Sequence, residues 1–195
     1  DKMPDDGTNI MIIDAEGDLV VPGLIDFHTH VGYGVSEAAI DADSIFLPSG
    51  VTTVMDCGTR GLGNMDQMAK EVAQRGFCTI KCLINVSPTG LMTLKYPECL
   101  DPKYFDEEQL RYFMEKYPDV IRGLKIRLMT ETLPDYANTG LLPLQRAIEM
   151  AEHLGTFIAV HVTNPPCEYK DILDMLRPGD IFVHPYHFSL LPSYE

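Results

Sequence analysis

The chain has 195 residues, is 45% hydrophobic and 23% charged, and has a mean hydropathy of -0.04, which excludes disordered, collagenous and coiled-coil proteins. With 15 Lys+Arg against 29 Asp+Glu the net charge is -14, a field that repels nucleic-acid phosphate and anionic lipid. No apolar run reaches the roughly 18 residues of a membrane span, and Asp1, Asp5, Asp6 and Asp14 speak against a secretory signal.

Residues 9–21 read as two short strands around the turn at Glu16-Gly17-Asp18. Pro22-Gly23 breaks the chain, and a strand follows in LIDFHTH. GVTTVMD (50–56) is a β-branched run, followed by a glycine-bearing loop and a helical segment, Met65–Arg75. FCTIKCLINVS (77–87) is strand-like, and residues 106–117 are helical with Asp106 as N-cap. VIRGLKIRLM (120–129) is again strand-like. Residues 141–155 place Leu141, Leu144, Ile148, Ala151 and Leu154 on one helical stripe, ended by Gly155. TFIAVHV, YKDILDML and DIFVHP complete the series as strand, helix and strand. Strand followed by helix, six times over, predicts a parallel α/β architecture. The strand ends near His30, Asp56, Ser87, Lys125, His161 and His184 lie roughly 23 to 38 residues apart, against ~30 for one βα unit. A doubly wound sheet has the same rhythm, so the polar residues must decide.

His28, His30, Lys125, His161 and His184 all fall at or near C-terminal strand ends, where a (β/α)8 barrel builds its active site. His28 and His30 are two apart, so on a strand both imidazoles share a face. That gives a bidentate nitrogen site of the kind zinc prefers. A protonated Lys125 among such ligands would repel cations. It makes sense there once carbamylation has turned it into an anionic oxygen donor. Cys57 ends the second strand as a small buried thiol, although a resemblance to the D-aminoacylases, which use a cysteine there, implies a metal ligand as the alternative. His153, in the last turn of a helix, is structural. Gly58, Gly61 and Gly63 do not have dinucleotide-loop spacing. The odd count of 5 cysteines in a chain of this length points to a reduced, cytoplasmic compartment.

VPGLIDFHTH resembles the P-G-x-I-D-x-H-x-H signature of the amidohydrolase superfamily, metal-dependent hydrolases on a (β/α)8 TIM-like barrel. GVTTVMDCGT, GLKIRL, AVHVTNPP and RPGDIFVHPYHF resemble that barrel's second, fourth, fifth and sixth strands. The nearest group by this resemblance is the dihydroorotase-like deacetylases and acyl-amino-acid hydrolases. The resemblance implies that residues 1–21 are part of a small β-sandwich domain and residues 22–195 a barrel from strand one to strand six. It implies two divalent metal ions, zinc by preference. His28 and His30 would hold the more buried ion and His161 and His184 the more exposed one. Lys125, as its CO2 carbamate (N6-carboxylysine), would bridge them. Asp26 would position the histidine strand. The proton-transferring aspartate of the superfamily is expected on an eighth strand, beyond Glu195, in a longer enzyme.

The activity expected is hydrolysis of amide or ester bonds in small molecules by a metal-bridging hydroxide. A cyclic amidase of dihydroorotase or hydantoinase type is the alternative, and a non-catalytic barrel scaffold the rival from a different class. A mononuclear deaminase has no use for Lys125. Two cations should favour carboxylate-bearing substrates, with Arg60 as a bidentate clamp and Asn164 and His187 as further contacts. A homo-oligomer is compatible with all of this, whereas nucleic acid and membrane are not expected partners.

Overall fold

The computed structural model describes residues 11–32, 34–68 and 77–186. Six strands make one sheet: β1 (Leu24–Thr29), β2 (Val51–Cys57), β3 (Thr79–Asn85), β4 (Ile121–Leu128), β5 (Ile158–Val162) and β6 (Ile181–Val183). Every neighbouring pair is parallel, and the spatial order follows the chain order. Helices α1 (Ala42–Phe46), α2 (Glu107–Lys116), α3 (Tyr136–Thr139), α4 (Leu142–His153) and α5 (Tyr169–Leu173) fill the connections. Consecutive parallel pairing without a reversal of order excludes the doubly wound alternative, whose strand order turns back on itself.

The two faces of the sheet do different work. Ile80, Cys82 and Ile84 of β3, Leu124, Ile126 and Leu128 of β4, and Ile158, Val160 and Val162 of β5 are buried in the main core. They share it with Leu110 and Phe113 of α2 and Leu144, Ala147, Ile148 and Ala151 of α4. Alternate residues of the same strands form a second, smaller cluster of Met55, Cys57, Leu83, Ala159 and Val183. With both faces covered the strands read as nearly continuous apolar runs, which is why the sequence betrays them. Across the ladder Asn85 pairs with Lys125, Lys125 with Ala159, and Arg127 with His161. Because side chains alternate along a strand, Lys125 and Arg127 stand on the smaller, inner face.

The long helices end as their sequences predict. The Asp106 carboxylate accepts from Gln109 N at 3.0 Å, and acidic residues occupy the first turn of α2 with Lys116 in the last. Gly155, at φ +65°, closes α4 in a left-handed conformation. Of the helix expected over 65–75, residues 65–68 are helical and the remainder lies outside the described residues.

The predicted strand pair at the start differs. The turn forms, with Asp18 N donating to Ala15 O at 2.7 Å, but residues 11–21 pair with nothing as strands. Met11, Ile12, Ile13, Leu19, Val20 and Val21 are exposed. Two short strands with no third strand or helix to cover an apolar face are marginal in water.

Candidate metal centre

Rings from opposite edges of the sheet meet. His28 of β1 and His184, just after β6, have centroids 5.0 Å apart. In a flat sheet five strand spacings would separate them by about 24 Å. The sheet therefore curls, bringing its first and last strands face to face. His161 lies 4.7 Å from His184, and His30 lies 5.7 Å from His28, ring centre to ring centre. All four histidines and Lys125 line one cavity of about 370 Å³, walled further by Cys57, Gly58, Asn85 and the loop residues Ala38, Leu91 and Leu94.

Its electrostatics suit cation binding. Burial, reinforced by the charge of Lys125, lowers His28 to about 3, His30 to about 4 and His161 to about 2. At neutral pH these imidazoles are uncharged and keep a lone pair, the form in which histidine binds metal. Burial also lowers Lys125 to about 8. Its Nζ is buried with no hydrogen-bond partner, in a side chain reached through a gap that only glycine leaves. A Cβ on Gly58, which sits at φ +80°, would come within 2.5 Å of Lys125 Cγ. The orphaned amine and the uncharged imidazoles fit a metal pair bridged by a modified lysine. The rings meet edge-on or tilted, and among the described residues no three His, Cys, Asp or Glu side chains converge on a single point that would hold an ion.

Hydrogen bonds around the rings fix their nitrogens. Thr59 Oγ1 donates to Asp56 Oδ2 at 2.5 Å and lies 2.9 Å from His30 Nδ1. Having given its proton to Asp56, that hydroxyl accepts from Nδ1–H, so the His30 lone pair resides on Nε2. Thr163 Oγ1 lies 2.9 Å from His161 Nε2, so Nδ1 is the ring nitrogen left for another partner. Asp26 Oδ1 accepts from His28 N at 3.0 Å and steadies the β1 end. In the sequence Asp56 is marked only as a strand end and Thr59 is not singled out, although Asp-x-x-Thr at a strand end is a recognisable side-chain-to-backbone turn pattern.

Other expected site residues land elsewhere. Arg60 is 1% exposed and does not line the cavity. Its Nη1 donates to Val31 O at 2.9 Å, in space left by Gly32, whose Cβ would lie 2.2 Å from Nη2. It braces the β1 loop and is not a substrate clamp. Asn164, exposed at φ +44°, accepts through its backbone O from Thr130 N and Oγ1, so it shapes a turn. His187 lies outside the described residues. Burial raises Cys57 to about 11, and its Sγ donates to Phe27 O at 3.5 Å, the behaviour of a small buried thiol. His153 is on α4, 3.2 Å from Glu107 Oε2, and is not among the residues that line the cavity.

Six parallel strands with helices between them, and ligand-type side chains at their C-terminal ends, are part of a TIM barrel. Residues 19–177 match the amidohydrolase family, and the chain belongs to it. A deacetylase of Agrobacterium fabrum is 29% identical over 173 residues, which are 88% of this chain and 42% of that protein. A deacetylase of Enterococcus faecalis is 27% identical over 169 residues, 86% of this chain and 44% of that one. The chain thus spans less than half the length of these curated relatives. Among solved structures, a dihydroorotase superposes with a TM-score of 0.72 at 28% identity, covering 82% of this chain and 50% of its own. An adenine deaminase gives 0.74 at 26% identity, with 82% and 42% covered.

Proposed function

We propose that this chain carries the metal-binding part of a binuclear hydrolase that cleaves amide or ester bonds of small molecules, of the deacetylase or N-acyl amino acid hydrolase type. The observation that carries the reading is Lys125 Nζ, buried and unpartnered in a cavity with four histidines. A buried amine without a partner is expensive as architecture. As a reactive group it is well placed. With its pKa brought down to about 8, part of the population is neutral at physiological pH and can add CO2. The amine lone pair bonds to the carbon of CO2, one N–H proton leaves to solvent, and an anionic carbamate with two oxygen donors results.

His28 and His30 would hold the more buried ion, His161 and His184 the more exposed one, with the Lys125 carbamate between them. When bound, a pair of divalent ions, zinc by the preference of imidazole donors, supplies a hydroxide at neutral pH and polarises an acyl carbonyl. The protein's share is orientation and exclusion. Thr59 and Asp56 hold His30 in one tautomer, and Leu91, itself buried, gives the cavity an apolar wall. The likeness to proteins named deacetylases supports acetyl compounds as substrates. The cyclic amidase alternative draws on the dihydroorotase likeness. Arg60 lies outside the cavity lining, so the expected preference for carboxylate-bearing substrates rests on the two cations alone.

The test combines metal analysis with ¹³C NMR of protein equilibrated with ¹³C-bicarbonate. Two equivalents of zinc and a carbamate signal absent from Lys125→Ala are expected. One equivalent without carbamate would favour a mononuclear deaminase, and none a scaffold. Turnover of N-acetyl amino acids against a cyclic ureide then separates the two hydrolase readings.

A further inference from the structure

One ion pair lines the same cavity without being among the residues that would hold the metals. Glu98, in the segment between β3 and α2, meets Arg127 of β4. Arg127 Nε donates to Glu98 Oε2 at 2.8 Å, and Nη2 lies 2.7 Å from the same oxygen. Both guanidinium contacts therefore fall on one carboxylate oxygen. The other, Oε1, is buried with no partner, in a side chain only 3% exposed. Buried carboxylate oxygens normally collect donors, so one left without a donor in a side chain that lines the cavity is a candidate to receive one from a ligand.

The position of the pair says what that ligand offers. Arg127 stands two residues beyond Lys125 on the same face of β4 and is the ladder partner of His161. The pair is thus one step nearer the C-terminal end of the sheet, the side from which a barrel admits substrate. Lys125 Nζ is itself without a hydrogen bond, so the two orphaned groups do not satisfy each other. Resting on the reading that an acyl compound binds at this centre, we propose that Glu98 Oε1 accepts a hydrogen bond from the substrate's N–H and so selects amides over the matching esters. An amide carries a donor beside its scissile carbonyl. An ester carries there only a lone pair, which would face the lone pairs of Oε1. Arg127 is the positioning residue, holding the carboxylate so that Oε1 points inward.

Glu98→Gln tests this without disturbing shape. The Arg127 donors keep the amide oxygen in the place of Oε2, so Nε2 takes the place of Oε1 and a donor replaces an acceptor in the cavity. The probes are a methylphosphonamidate, which carries a P–NH group, and the matching methylphosphonate ester, which carries P–O. The whole protein should bind the phosphonamidate more tightly by about tenfold or more. In Glu98→Gln the order should reverse. A Glu98→Leu/Arg127→Met double variant removes the pair together and should bring the ratio near one. Absence of a preference in the parent, an unchanged ratio in Glu98→Gln, or loss of zinc from Glu98→Gln would each overturn the proposal. Because the readout is binding, the two readings fail separately. N–H selectivity without hydrolysis of acetyl compounds sinks the hydrolase reading alone, whereas hydrolysis with no N–H selectivity sinks this one alone.

Discussion

Two buried carboxylates stand close to arginines in this half-barrel, and they are treated in opposite ways. Asp56, at the end of β2, is saturated. Its Oδ1 accepts from Thr59 N at 2.9 Å, and its Oδ2 accepts from Val31 N at 2.9 Å and from Thr59 Oγ1. Glu98 has one oxygen held by Arg127 and the other left open. The neighbouring arginines follow suit, Arg60 walled in behind Gly32 and Arg127 lining the cavity. A saturated buried charge builds structure, because removing it strands several donors. An unsaturated one adds little to stability and is kept where a ligand completes it. Lys125, with its open Nζ, belongs with Glu98.

The largest effect should therefore come from an unsaturated group, in activity and not in stability. Lys125→Ala should lower turnover by more than about 100-fold, the upper range for losing an outer-shell partner of a metal. Its thermal midpoint in metal-free protein should stay level or rise, because a buried unpartnered amine is gone. A midpoint several degrees lower would mean that Lys125 supports the fold and would break the contrast.

Asp56→Ala should do the reverse. Val31 N and Thr59 N would lose their acceptor inside the protein, at a cost of about 3 kcal/mol in unfolding free energy by denaturant titration. Equal stability of Asp56→Ala and Glu98→Gln would show that saturation does not separate the two sites.

Thr59→Val sharpens the comparison at the point where architecture meets the metal. It removes the hydroxyl that links Asp56 to His30 while keeping shape. Zinc affinity should fall by about tenfold, within the range for partners that orient a ligating imidazole. Competition with a chromogenic chelator measures it. Unchanged affinity would mean that the His30 ring is held by packing alone.

What the sequence disclosed follows the same division. Strands covered on both faces are largely apolar, so β2 to β5 are visible as runs, interrupted in β4 by Lys125 and Arg127. Histidines at strand ends are visible because a two-residue spacing fixes a shared face. Glu98 was not visible, because it lies in a segment without periodicity and meets Arg127 only through the fold, 29 positions away. Arg60 was read as a clamp because a loop residue after a barrel strand is free, on paper, to turn either way. Its direction is settled by the space that Gly32 leaves at φ +126°, a tertiary fact no local pattern encodes. The strands expected before residue 22 failed for a related reason, since an alternating apolar segment pairs only where another surface covers it.

The smallest effect is expected at His153, the one histidine among the described residues that does not line the cavity. It is 57% exposed and reaches Glu107 Oε2 at 3.2 Å. That carboxylate is also met by Arg146 at 3.2 Å and Arg111 at 3.5 Å, so Glu107 keeps two cationic partners when the imidazole is removed. Exposed pairs of this kind contribute little, because water competes for both partners and two side chains must be held still. His153→Asn should therefore shift stability by less than about 0.5 kcal/mol. Zinc content should be unchanged, whereas His28→Asn and His161→Asn lose metal. Metal analysis of the three variants side by side decides it. Zinc loss from His153→Asn as deep as from the other two would mean that proximity to the cavity is not what distinguishes a ligand here, and the assignment of the centre would have to be redrawn around α4.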